Sequence, residues 1–171
     1  MNRNHYNLIK ILLILTILVY GIFGLKDNQN FLLIHSMDLM FHEFGHLFFF
    51  FMPELFVFFA GTIMQLLIPN TFFLYFLIKK SFYSASVLLF WVAINLFDIS
   101  IYVKDARTMN LIPLIPGTTH DWNYILTKLN LLNYDQIIGN LIFSIGIIFF
   151  ALSIILGIYF SKTNQATDEL L

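Results

Sequence analysis

Residues 31–53 read FLLIHSMDLMFHEFGHLFFFFMP. The run is long enough to span a hydrocarbon core, which takes about 20 mostly apolar residues in a helix. Yet it is interrupted by Asp38, His42, Glu43 and His46, and it ends at Pro53, which can open a new helix but cannot continue the old one. A charged side chain inside a span costs at least ~2.5 kcal/mol on insertion scales and marks function by default. Projected at about 100° per residue, His35, Asp38, His42 and His46 fall in one narrow stripe, which must face protein or water rather than lipid. The class follows: an all-α membrane protein with polar chemistry inside its helices.

Outward from this stretch, four further apolar runs appear. Residues 8–25 form the first, flanked by Arg3 and by Lys26-Asp27-Asn28-Gln29-Asn30. A signal peptide is the competing reading, but no Ala-x-Ala site follows and further spans do, so an uncleaved first helix is expected. Residues 55–78 stop at Lys79-Lys80, and residues 82–103 stop at Lys104-Asp105-Ala106-Arg107, as interfacial ends do. Residues 136–160 lack charge, and a polar tail expected to be mobile follows from Ser161. Between them, residues 108–135 hold Pro113, Pro116 and Gly117 and then an amphipathic pattern with Trp122, Ile125, Leu126 and Leu129 on one face. That pattern predicts an interfacial or re-entrant loop and helix. The expected architecture is one membrane domain over residues 1–171 with about five transmembrane helices.

Composition agrees. Of 171 residues, 59% are hydrophobic and 11% charged, with a mean hydropathy of +0.81, outside the range of water-soluble domains. The bilayer is the expected partner. A net charge of −1 with scattered charges gives no basic face, so nucleic acid is not an expected partner. Cysteine is absent, so any metal must be held by His, Asp or Glu. The cations divide five to four between the two sides of a five-span arrangement, too even to orient it.

His42 and His46, at i and i+4, project to one side about a turn apart and can share one tetrahedral zinc ion. Glu43 beside them can take a proton from a water activated there. His35 lies about 10 Å from His42 by helical rise, too far to join it, and reads as a buried or interfacial histidine. Asp38 could orient His42 or sit at the helix entry.

The third ligand has three candidates. Asp98 shares a stripe with Asn95, Tyr102 and Asp105 on the fourth helix and matches His46 in depth. His120 and Asp121 follow Pro116-Gly117-Thr118-Thr119, and Asp121 could instead cap the helix after it. On the third helix, Gly61 suits close packing, and Gln65, an amide in lipid, suits contact with substrate or with a ligand.

His42-Glu43-Phe44-Gly45-His46 inside a multi-span chain resembles the site-two-protease type of intramembrane zinc metallopeptidase. The resemblance implies spanning helices that hold Zn2+ within the membrane and hydrolysis of a peptide bond in a membrane-protein substrate. In that family an Asn-x-x-Pro element precedes a Leu-Asp-Gly motif whose aspartate is the third ligand. Here Asn110-Leu111-Ile112-Pro113 is followed at longer spacing by His120-Asp121-Trp122. Together with Gly61-Thr62-Ile63-Met64-Gln65 and Asp105-Ala106-Arg107, these landmarks are similar to those of small bacterial membrane proteins related to the peptidases. A bacterial cell membrane is implied, with Glu43 as catalytic base and His42, His46, His120 and Asp121 as the metal set. A non-catalytic metal-binding scaffold and a hydrolase of lipid-linked small substrates are the alternatives.

Overall fold

The structure, a computed structural model, describes residues 5–26, 32–111 and 119–163. It is helical: α1 (Leu8–Lys26), α2 (Leu32–Phe48), α3 (Glu54–Ile78), α4 (Phe82–Lys104), the short α5 (Asp121–Lys128) and α6 (Asp135–Phe160), with a 3₁₀ turn at Leu132–Tyr134. The one exception among the described residues is a two-residue antiparallel pairing of β1 (His5–Tyr6) with β2 (Lys162–Thr163). It ties the start of the expected polar tail to the other end of the described chain, and the remainder of the tail lies outside the described residues.

Among the described residues, three segments are long and apolar enough to cross a bilayer: Glu54–Ile78, Phe82–Lys104 and Leu132–Phe160. Their outward faces carry exposed aliphatic side chains such as Leu67 and Leu74 on α3 and Leu141, Ile148 and Ile155 on α6. α1 has a shorter apolar stretch, Leu8–Phe23. α2 stops at Phe48, earlier than the apolar run suggests. The chain reverses there through 49–53, with Met52 N–H donating to Phe49 O at 2.9 Å. Pro53 disfavours helical backbone in the residue before it, so the run cannot continue into α3.

α4 is the central element and touches each of the other five helices. Its middle and its C-terminal end belong to two separate cores. Ile14 and Ile17 of α1, Phe90, Ala93, Ile94 and Phe97 of α4 and Phe150 of α6 form one. Ile99, Val103 and Ala106 form the other with Trp122, Ile125 and Leu126 of α5. Small residues let α6 lie against α4. A Cβ on Gly146 would fall 2.6 Å from Phe97, and one on Gly139 would fall 2.9 Å from the Ser100 carbonyl. With no hydrophobic driving force between helices in lipid, such close approach is how apolar helices gain contact.

The amphipathic segment differs from its expectation. Its helix has only eight residues, and Trp122, Ile125 and Leu126 are buried against protein, while Leu129 is largely exposed. Trp122 Nε1 donates to Thr62 Oγ1 at 3.2 Å, Asn123 Nδ2 donates to Ala106 O at 2.7 Å, and Tyr124 stacks on Phe58. Polar anchors to α3 and to the end of α4 thus fix where α5 begins. Pro113, Pro116 and Gly117 lie outside the described residues.

Candidate metal centre

Two glycines allow α2 and α3 to enclose the histidines. A Cβ on Gly45 would sit 2.2 Å from Ala60 O, so the helix backbones meet there in a way only glycine permits. A Cβ on Gly61 would sit 2.4 Å from His42 Nε2, so the missing side chain of α3 is the space the imidazole occupies. The expectation that Gly61 serves close packing is met in a specific form: what it packs against is a candidate ligand.

Each ring is oriented through its other nitrogen. His46 Nδ1 lies 2.8 Å from Val57 O. A carbonyl can only accept, so Nδ1 carries the hydrogen and Nε2 of the neutral ring presents a lone pair. His42 Nδ1 is paired in the same way with Gln65 Oε1 at 3.2 Å. Carbonyl partners behind ligating histidines fix the ring tautomer and orientation. Gln65, expected to touch substrate or a ligand, touches a ligand candidate.

Both lone pairs point at one carboxylate from α5. Asp121 Oδ2 lies 2.8 Å from His42 Nε2 and 3.2 Å from His46 Nε2. Tyr102 near the end of α4 clamps this residue twice: its hydroxyl donates to Oδ2 at 3.3 Å and accepts from the Asp121 N–H at 3.1 Å. The three ligand atoms all lie within 4.8 Å of one another. Two imidazole lone pairs and a carboxylate oxygen converge here as one donor set. They suit a divalent metal bound by nitrogen and oxygen. Burial alone would raise the Asp121 carboxyl; where His42 and His46 carry a proton on Nε2 in place of a metal, their bonds outweigh burial and hold it down at about 2.

Glu43 is half-buried beside His42, and its charge acts on both His46 and Tyr102. The centre lies near one end of the bundle. Val57 is three residues into α3, Tyr102 two from the end of α4 and Asp121 the first of α5, so each lies within about one helical turn of a helix end.

His120 is not brought into this group, contrary to its place in the expected metal set. It is the N-cap of α5, where its Nδ1 accepts from Asn123 N–H at 3.2 Å. A ring that accepts through Nδ1 carries its hydrogen on Nε2, and that nitrogen faces Asp105 Oδ2 at 3.4 Å. Neither nitrogen has a lone pair free for a metal. Burial pushes this imidazole below its ordinary pKa despite Asp105. The cap role considered for Asp121 therefore belongs to its neighbour, and Asp121 is released to face the histidines. Asp105 organises the approach to the loop: besides facing His120, its carboxylate accepts from Thr108, from Asn110 N–H at 3.0 Å and from Leu111 N–H at 2.9 Å. These bonds outweigh its burial and keep it below the usual carboxylate range. Asn110 is thus part of this turn, whereas Ile112 and Pro113 of the same element lie outside the described residues.

The remaining polar residues of α2 and α4 meet elsewhere. Asp98 pairs with His35 at 3.1 Å, and Asp38 accepts from Trp91 Nε1 at 2.8 Å. Neither is in the group with His42. Two contributors escaped the sequence. Tyr102 was visible only as a member of the α4 stripe, and the Val57 carbonyl, a backbone atom, leaves no sequence signal at all. Comparison with family models, with curated proteins and with solved structures finds no match to this chain.

Proposed function

We propose that this chain is a zinc-dependent intramembrane metallopeptidase of about five spans that hydrolyses a peptide bond of a membrane-protein substrate, in a bacterial cell membrane. One observation carries the reading: His42 Nε2, His46 Nε2 and Asp121 Oδ2 converge, with both Nδ1 atoms engaged by carbonyls, next to a half-buried glutamate. Two histidines and one carboxylate make three protein ligands, the number that a catalytic rather than a structural zinc site uses. The apolar outward faces of α3 and α6 support a bilayer as the surrounding solvent.

His42, His46 and Asp121 would hold the metal. When bound, it supplies Lewis acidity, polarising a carbonyl and making a water easier to deprotonate at neutral pH. Glu43 would take a proton from a water as the water oxygen bonds the scissile carbonyl carbon, and would return that proton to the leaving amine as the C–N bond breaks. Tyr102 and Gln65 keep Asp121 and His42 in place. Position near a bundle end gives a water-dependent reaction a short path from the interface.

The test is a paired measurement on the full chain purified from membranes. Wild type and Glu43→Gln should each hold about one zinc per chain, and cleavage of membrane-protein substrates should fall by roughly 10²-fold or more in the variant. A Glu43→Gln protein that keeps its zinc and cleaves at the wild-type rate overturns the assignment. Stoichiometric zinc with no change in either the membrane proteome or the lipidome between wild type and variant points to a scaffold. A change confined to lipid-linked molecules points to the small-substrate hydrolase.

A further inference from the structure

A second polar cluster lies along the same face of α2, one turn before His42, and takes no part in the proposed hydrolysis. Asp38 is fully buried, and only its Oδ1 is bonded, by Trp91 Nε1. Its Oδ2 has no hydrogen-bond partner. Asn95 of α4, also fully buried, reaches the Asp38 carboxyl with its side chain. Its Nδ2 is engaged by Trp91 O at 3.0 Å, and its Oδ1 likewise has no partner. Three titratable groups face the pair: His35 of α2, Asp98 of α4 and Tyr20 of α1.

Charge accounting defines what is missing. His35 and Asp98 pair with each other, so a protonated His35 leaves that pair neutral. Asp38 then remains as one buried negative charge with no cation against it, an arrangement that a low-dielectric interior strongly disfavours. Both unpartnered atoms are acceptors. A further acceptor or an anion would worsen the deficit, and a divalent ion would overshoot it.

We propose that Asp38 and Asn95 form a second cation site, separate from the metal centre, that takes one positive charge as a proton or a sodium ion. A proton on Asp38 Oδ2 removes the uncompensated charge and gives one of the two unpartnered oxygens a hydrogen to donate to the Asn95 side chain beside it. A sodium ion satisfies them as hard oxygen ligands. His35, whose side chain is 48% exposed, lies on the accessible side of the cluster and gives such a charge a way in. The site shares no ligand with the zinc reading and does not depend on it.

Infrared spectroscopy on the full chain in lipid nanodiscs at neutral pH, with choline chloride in place of sodium, tests the proton. Wild type should show the carbonyl band of a buried carboxylic acid that Asp38→Asn lacks and that Asp38→Glu shifts. If the band is absent, sodium chloride at equal ionic strength should raise the melting temperature of wild type and leave that of Asp38→Asn unchanged, which assigns the charge to sodium. Asp38→Asn carries an amide N–H where the acid would carry its hydrogen, so it should fold and hold metal at wild-type stoichiometry. Asp38→Glu keeps the first measurement available if Asn is not tolerated. A wild-type protein with neither the acid band nor a sodium-dependent shift overturns the site. Loss of metal from a folded Asp38→Asn protein overturns its separateness.

Discussion

The two polar clusters on α2 are built from the same residue types on the same stripe, about one turn apart, and they end differently. At His42 and His46, each ring is backed by a carbonyl and presents a lone pair to the same Asp121 oxygen. At Asp38, a tryptophan N–H satisfies one carboxylate oxygen, while the other has no partner, and neither has the side-chain oxygen of neighbouring Asn95. The first arrangement collects nitrogen and oxygen donors around a point, as a divalent metal requires. The second lacks one positive charge among oxygens. What separates them is the set of partners: Val57 and Gln65 of α3 and Asp121 of α5 at one level, Trp91 and Asn95 of α4 at the other.

The largest effect should come from breaking the first cluster at its distant member. Asp121→Ala removes one of three metal ligands and should reduce zinc affinity by more than the roughly 10–100-fold that outer partners of a ligand are worth. Asp98→Ala, which alters the other cluster, should leave zinc stoichiometric. Chelator competition on purified protein measures both. Equal losses would mean that the two clusters are one site.

A subtler break moves a ligand without deleting one. Gly61→Ala places a methyl where His42 Nε2 now lies, so the ring must turn away from Asp121. Zinc affinity should fall roughly 10–100-fold, the scale of losing a ring's orientation. The cost to the apo fold should be about 1–3 kcal/mol, as for overpacking elsewhere. Chelator competition and thermal unfolding of the metal-free protein separate the two effects. Undiminished affinity would show that the His42 ring is not held where the ligand geometry needs it.

These contrasts also show how far the sequence could be read. The stripe on α2 was legible because helical periodicity is local: His35, Asp38, His42 and His46 share a face wherever the helix lies. The helix boundaries were nearly so, apart from the Phe-rich stretch 49–52, where apolar composition suggested continuation and Pro53 imposed a turn. The meeting of the clusters was not legible. Matching Asp98 in depth to His46 correctly joined α2 to α4 but misjudged the height, since Asp98 lies opposite His35. Asp121 is 79 residues from His42, and its position is set by Trp122 on Thr62, Asn123 on the Ala106 carbonyl and Tyr102 on its own backbone. No local pattern encodes such contacts.

The smallest expected effect concerns the residue next to that long-range ligand. Sequence placed His120 and Asp121 together in the metal set, and the structure divides them: one caps α5, and the other faces the histidines. Asn is among the best N-cap residues, so His120→Asn keeps an acceptor for the Asn123 N–H while removing the imidazole. Zinc affinity should stay within about twofold, since Asp121 and Tyr102 keep their mutual bonds, and stability should change by less than about 1 kcal/mol. The same chelator competition reads the outcome. A loss on the scale of Asp121→Ala would make His120 a ligand, requiring its ring to leave the cap and α5 to begin differently.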